Sequence, residues 1–207
     1  LVIFVHGGCW LNAYDIEHSH ALSSTLAEAG YAVWSLEYRR TGDKGGGWPG
    51  TFSDITQRID FATRFRDYPV DLTQIVILGH SAGGHLALLA SSGNQDIKAV
   101  IGLAAITDIV AYSKGTNSCQ QATVGFMGDT YEAAPETYHV ANPASNPVHE
   151  KCILLQGDAD NIVPLNQSRL PGATTRVLEG AGHFDWIHPE TEAHQVLLST
   201  LGDILRK

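Results

Sequence analysis

Gln74-Ile75-Val76-Ile77-Leu78-Gly79-His80-Ser81-Ala82-Gly83 runs from an apolar, β-branched stretch through a glycine-flanked serine into a helix of small residues. The apolar part, 74–78, reads as a buried strand, and 82–92 reads as the helix that follows it. Between them Ser81 must occupy a tight, strained turn that pushes its hydroxyl out at the carboxyl edge of a sheet. Larger side chains at Gly79 or Gly83 would collide with neighbouring backbone, which gives both glycines a physical reason. The helix beginning at Ala82 brings free amides and a positive dipole end to the same place, so negative charge forming beside Ser81 is favoured by the Ala82 N–H. The plainer alternative is a glycine-rich strand-to-helix turn with an ordinary N-cap serine.

Along the rest of the chain, short apolar runs alternate with longer segments of helical period, the signature of a parallel sheet covered by helices on both faces. The fold class is α/β. Strands are expected at 1–5, 31–36, 74–78, 99–102, 152–156 and 175–178, about six in a mostly parallel sheet. Helices are expected at 16–29, 53–66 with Ser53 as N-cap, 82–92 and 190–205. The glycine-rich stretch 41–50 reads as a loop placed to touch a ligand. Residues 108–149, irregular and punctuated by Pro135, Pro143 and Pro147, read as a cap-like insertion within a single domain, 1–207. The stretch 165–173 is too poor in periodic residues for a full helix, so the crossover before the last strand is expected to be abbreviated.

Composition narrows the partners. With 13 Lys and Arg against 22 Asp and Glu, a formal charge of -9 has the wrong sign for tracking a phosphate backbone, which argues against nucleic acid. The most continuous apolar stretch, 99–106, is far short of the roughly 20 residues a membrane-spanning helix needs, so no membrane partner is expected. Three cysteines, Cys9, Cys119 and Cys152, are an odd count without framework spacing. They argue against a disulfide scaffold and for a reducing, cytoplasmic location, with Cys119–Cys152 as the one bridge weighed. The chain opens on Leu1 inside what reads as a strand, so the native start is left open.

Two further segments carry chemistry. His6-Gly7-Gly8-Cys9-Trp10 follows the first strand, where glycines let backbone approach a substrate. The Gly8 and Cys9 amides are candidate oxyanion donors beside that of Ala82, and His6 is read as a buttress of the loop. Ala181-Gly182-His183-Phe184 follows the last strand, and His183 there could serve Ser81 as general base. His18, His20, His139, His149, His188 and His194 lie in helices or polar loops, where a solvated side chain is the default. The carboxylate that orients the imidazole should follow the preceding strand, and 156–164 offers both Asp158 and Asp160, with Asp108 as a third candidate. Spacing does not choose among them. Trp10, Trp48, Phe126, Phe184 and Trp186 are candidates for a small aromatic pocket, with core packing as the equal alternative.

With these residues in place the chain resembles the α/β-hydrolase superfamily, in its esterase, lipase and kynurenine-formamidase-like branch. The resemblance rests on His-Gly-Gly-x-Trp before an elbow of the form Gly-His-Ser-Ala-Gly-Gly-His and spans nearly the whole chain. It implies that the acid is Asp160, the fourth place of a Gly-x-x-Asp-x-x-Val-Pro pattern matched by Gly157, Val163 and Pro164, leaving Asp158 as runner-up. Glu37-Tyr38-Arg39-Arg40 and Gly46-Gly47-Trp48-Pro49-Gly50 also resemble segments of bacterial hydrolases of this branch. Cys9 in place of a third glycine points away from hormone-sensitive-lipase-like relatives, and the two strands that usually precede the oxyanion loop are absent. The expectation is a serine hydrolase with the triad Ser81, Asp160 and His183, needing no cofactor or metal. It would act on a small-molecule carboxylic ester or an N-formyl amide such as N-formylkynurenine, and a homo-oligomer is possible. The rivals are a peptidase with the same triad and a catalytically silent binding module on the same fold.

Overall fold

The structure is a computed structural model that describes residues 1–62 and 64–205. Six strands, β1 (Val2–Val5), β2 (Val33–Leu36), β3 (Val76–His80), β4 (Ala99–Leu103), β5 (Cys152–Gly157) and β6 (Ala173–Leu178), form one sheet in the order β2-β1-β3-β4-β5-β6. Every pairing is parallel. The helices are α1 (His20–Glu28), α2 (Gly50–Ala62), α3 (Ala82–Ala90), α4 (Ile109–Tyr112), α5 (Ser118–Met127), α6 (Pro135–Val140) and α7 (Glu192–Leu205).

The period of two along the inner strands builds two cores, because successive side chains face opposite sides of a sheet. Val2, Phe4, Val76, Leu78, Ile101 and Leu103 pack with Leu22 and Leu26 of α1 and Leu197 and Leu201 of α7. Ile3, Val5, Ile77 and Val100 pack on the other face with Ile55 and Ile59 of α2 and Leu86 of α3. β1, β3 and β4 are buried along their whole length. The outermost β6 is exposed over most of its length and carries Arg176, a charge that discourages edge-to-edge pairing.

The crossover from β5 to β6 is abbreviated as expected, holding only the short 3-10 turn Leu165–Ser168. Other elements differ from the sequence reading. Ser53 is not an N-cap: α2 already begins at Gly50, and the Ser53 amide donates to the Pro49 carbonyl at 2.9 Å. Proline carries no amide hydrogen to satisfy, so it sits easily at a helix start and moves the boundary forward. The expected extension of this helix to Arg66 crosses Thr63, which lies outside the described residues, as do the last two residues of the 1–207 domain. The helix expected over 16–29 is split, with a 3-10 turn at Ile16–Ser19 capped by Asp15 before α1. The segment 108–149 holds three short helices, α4, α5 and α6, within irregular chain. His149 and His194 are buried, and each has a ring nitrogen in a hydrogen bond, to the Ile97 carbonyl and the Thr25 hydroxyl.

Cysteine pairing differs as well. Cys9 is joined to Cys119, with a Cα–Cα distance of 5.1 Å, while Cys152 is buried and free. Parallel strands explain why the Cys119–Cys152 pair fails. Cys152 opens β5 at the amino end of the sheet, whereas Cys9 and Cys119 lie at the carboxyl end. Burial pushes the Cys152 thiol up to about 12, which leaves it unreactive. A bridge persists in oxidising surroundings, so cysteine usage no longer argues for the cytoplasm. Among the described residues no helix is long and apolar enough to cross a membrane.

Candidate active site

All the candidate residues follow strand ends at one edge of the sheet. β1 leaves towards β2 while β3 leaves towards β4, so the loops after β1 and β3 diverge and open a crevice between them, where ligands of open α/β sheets bind. Gly8 and Cys9 border this crevice on one side and Ser81 on the other.

Ser81 has φ 57° and ψ -121°, a backbone conformation that side-chain-bearing residues rarely hold. Its amide donates to the Leu103 carbonyl at 2.9 Å, and its carbonyl accepts from His85 at 3.1 Å. A methyl group at Gly83 would sit 2.2 Å from the Val5 carbonyl, and one at Gly79 2.5 Å from the Gly83 carbonyl, so the turn closes only with glycine at both places. The Ser81 side chain makes no capping hydrogen bond, which removes the reading of an ordinary N-cap and leaves the hydroxyl at the cavity wall.

His183 lies on the same cavity, and its Nδ1 meets Asp160 Oδ2 at 2.7 Å with both side chains buried. Asp160 is held from three more directions, accepting from the amides of Ile162 (2.8 Å) and Val163 (2.9 Å) and from Gln156 Nε2 (3.2 Å). A carboxylate so fixed sets the tautomer and plane of the imidazole. The other two carboxylates are spent elsewhere. Asp158 accepts from the Gly180 amide at 2.7 Å, and Asp108 caps α4 through the Ala111 amide at 3.0 Å. His80 braces the loop of His183 by donating from Nε2 to the His183 carbonyl at 3.0 Å. Burial, then the facing His183, hold His80 well below the ordinary histidine value, so it stays neutral.

In the loop after β1, Gly8, Cys9 and Trp10 have φ values of 108°, 54° and 59°. No backbone carbonyl among the described residues accepts from the amides of Gly8, Cys9 or Ala82. His6 sits beneath this loop, stacked on Tyr38 at 4.3 Å, while the Tyr38 hydroxyl donates to the His6 carbonyl at 2.7 Å. Burial lowers His6 to about 4, so it supports the loop as a neutral ring.

The cavity has a volume of about 490 Å³, in the range that holds a small organic ligand. Of the aromatic residues expected there, Phe184 lines it and is 55% exposed. Trp10 does not: it is fully buried and stacked on Phe126 at 4.7 Å. Trp48 does not either, since it packs on Phe52 at 5.1 Å and its amide donates to the Phe126 carbonyl. The 41–50 loop therefore seats α5 and does not reach the cavity. Trp186 and Phe126 are core residues. Sequence reasoning missed Tyr14, His18, Asn117, Ser118, Ile162 and His188 on the cavity wall. Only Asn117 carried a signal, as half of a capping box with Gln120 at the start of α5. Among the described residues no group of three or more His, Cys, Asp or Glu is arranged to hold a metal ion.

An all-parallel sheet flanked by helices, with a serine elbow after one strand and a carboxylate–histidine pair after two others, defines an esterase/lipase-type member of the α/β-hydrolase superfamily. Within it the chain belongs to the BD-FAE family, which matches residues 1–172. Esterase LipC of Mycobacterium tuberculosis (strain ATCC 25618 / H37Rv) is 25% identical over 191 residues, 82% of this chain and 46% of its own. Esterase LipQ of the same organism is 26% identical over 194 residues, 85% of this chain and 45% of its own. The chain thus spans about half the length of the curated relatives it matches. Among solved structures, Esterase B from Lactobacillus Rhamnosis (HN001) superposes with a TM-score of 0.79 at 19% identity, covering 99% of this chain and 76% of that one. A truncated carbohydrate esterase from gut microbiota gives 0.77 at 21% identity, covering 100% and 86%. At these identities the likeness is one of fold.

Proposed function

We propose that this chain hydrolyses carboxylic esters of a compact acyl group through an acyl-enzyme formed on Ser81. The observation that carries the reading is the buried 2.7 Å pair of His183 Nδ1 and Asp160 Oδ2, on the same cavity as a serine held in a strained elbow. With Nδ1 committed to Asp160, Nε2 takes the Ser81 hydroxyl proton as Oγ attacks the ester carbonyl. Asp160 stabilises the imidazolium that results. The oxyanion of the tetrahedral intermediate is stabilised by the amides of Gly8, Cys9 and Ala82. Collapse expels the alcohol, which takes its proton from His183. Water then attacks the acyl group by the same route, freeing the acid and Ser81. The esterase relatives support the ester as substrate class, and a cavity of about 490 Å³ suits a short acyl chain better than a fatty one.

An N-formyl amide asks for the same carbonyl chemistry and is the second substrate to try. Hydrolysis of p-nitrophenyl acetate and N-formylkynurenine, measured side by side with Ser81→Ala as control, tests the proposal. Ester turnover that disappears in the variant is expected. Clear preference for N-formylkynurenine would make the chain a formamidase, and silence on both would favour the binding module.

A further inference from the structure

The structure assigns Cys119 a part in the chemistry. We propose that it is a positioning residue which, through its disulfide to Cys9, holds the oxyanion loop in its productive shape from the first turn of α5. The inference rests on the ester-hydrolase reading for its catalytic half and on geometry alone for its mechanical half.

Three consecutive residues, Gly8, Cys9 and Trp10, share the left-handed region, and two of them carry side chains. Such a run persists only where its surroundings leave it no alternative. Backbone bonds to Thr41 fix the far side of the loop: the Thr41 amide donates to the Trp10 carbonyl at 2.8 Å, and the Asn12 amide to the Thr41 carbonyl at 3.0 Å. The near side, where the Gly8 and Cys9 amides border the cavity, is fixed by α5. Phe126 lies flat on Trp10, and Cys119 is bonded to Cys9 across 110 residues of sequence.

The first turn of α5 also reaches the acid loop. Asn117, its N-cap, donates from Nδ2 to the Ile162 carbonyl at 3.0 Å, and Ile162 is the residue whose amide holds Asp160. One helical turn therefore ties the loop bearing two candidate oxyanion donors to the loop bearing the candidate acid. The bridge is a covalent link in that tie, and both of its cysteines line the cavity. Oxyanion donors act only when aimed beforehand at the place where charge develops, so a loosened loop costs turnover more than substrate binding.

Cys119→Ser removes the bridge and leaves the Cys9 amide in the chain. A second preparation, wild type reduced with dithiothreitol and desalted, reaches the same state without mutation. The dithiol supplies two electrons and two protons, Cys9 and Cys119 become thiols, and the reductant closes to its cyclic disulfide. Denatured but unreduced wild type should titrate one thiol, that of Cys152, and three after reduction; three before reduction overturns the bridge. Well below melting, both unbridged forms should show faster exchange of the Leu11 amide, which donates to the Gly8 carbonyl at 2.9 Å, read in a peptide covering residues 7–11, and unchanged exchange in β3 and β4. Their kcat on p-nitrophenyl acetate should fall roughly 10- to 100-fold with KM within about threefold, and reoxidation should restore the reduced wild type but not the variant. A bridge that only stabilises the fold would lower Tm and leave kcat at low temperature intact, which overturns the positioning role. Unchanged exchange at residues 7–11 overturns the clamp itself. Oxidised wild type inactive on esters overturns the catalytic half together with the reading it rests on, while the exchange result still decides the mechanical half.

Discussion

Two turns meet at the carboxyl edge of the sheet, both with non-glycine residues at positive φ, and they are held in opposite ways. The turn at Ser81 is fixed by the sheet it rises from, its amide donating to the Leu103 carbonyl of β4 and Gly83 lying against the Val5 carbonyl of β1. β3 leads into it, α3 leaves it, and Gly79 and Gly83 permit contacts so close that a methyl group would meet backbone carbonyls at 2.5 Å or less. The turn at Gly8–Trp10 is held by Thr41 on one side and by Cys119 and Phe126 of α5 on the other. A turn held by the sheet is robust to changes in the inserted segment. A turn held from a distance couples the site to whatever α5 does.

The largest effect should come from the first turn. Ser81→Ala should lower ester turnover roughly 10⁴- to 10⁶-fold, by analogy with nucleophile removal in another serine hydrolase, with the folded structure kept. Measured initial rates on p-nitrophenyl acetate check it, and retention of most activity would remove Ser81 from the mechanism.

Next, Asp160→Asn should cost on the order of 10⁴ in kcat, because an amide cannot stabilise an imidazolium and favours the wrong tautomer. Asp158→Asn, two residues away, should change kcat by less than about twofold. Equal losses in the two variants would contradict the separation of their partners.

The contrast between the turns is sharpest in stability and activity taken together. Phe126→Ala should cost about 3–5 kcal/mol and lower activity as well, since it removes the surface on which Trp10 rests. Leu201→Ala, an equally buried deletion on α7, should cost about 2–5 kcal/mol with kcat unchanged below melting. Urea unfolding paired with kinetics at low temperature separates them, and similar activity in the two variants would break the comparison.

Last is an effect of pH, read in stability alone. His6 under the loop after β1 and His85 in α3 are both lowered to about 4 by burial. Between that value and the unfolded value of about 6.5, the unfolded chain binds more protons than the folded one, so stability is full above pH 6.5 and is lost as pH falls towards 4. Each group should contribute about 3 kcal/mol to that loss. The slope of stability against pH, measured by thermal melts, should flatten in His85→Gln, whose amide can still donate to the Ala141 carbonyl that His85 Nε2 reaches at 2.7 Å. An unchanged slope would show that His85 is not buried in its neutral form.

These contrasts also explain what the sequence could reveal. The alternation of Val2, Ile3, Phe4 and Val5 and the glycines about Ser81 are local signals, and the sheet and the elbow follow from them. Choosing Asp160 over Asp158 needed the resemblance to a family, because residues two apart on an extended chain point the same way. What separates them is the curl of the chain that brings the Ile162 and Val163 amides onto Asp160. Cys9 and Cys119 stand 110 residues apart, and Trp10 and Trp48 face the core through contacts with Phe126, a residue on another element. No local pattern encodes such pairings.

Covalent labelling reads most directly whether Ser81 is a nucleophile activated by His183 and Asp160. Wild-type protein incubated with a fluorophosphonate and mapped by peptide mass spectrometry should carry one adduct, on Ser81, with labelling slowed strongly in Asp160→Asn and absent in Ser81→Ala. An adduct on another residue, or an unlabelled Ser81 in folded wild-type protein, would show that Ser81 is not the nucleophile.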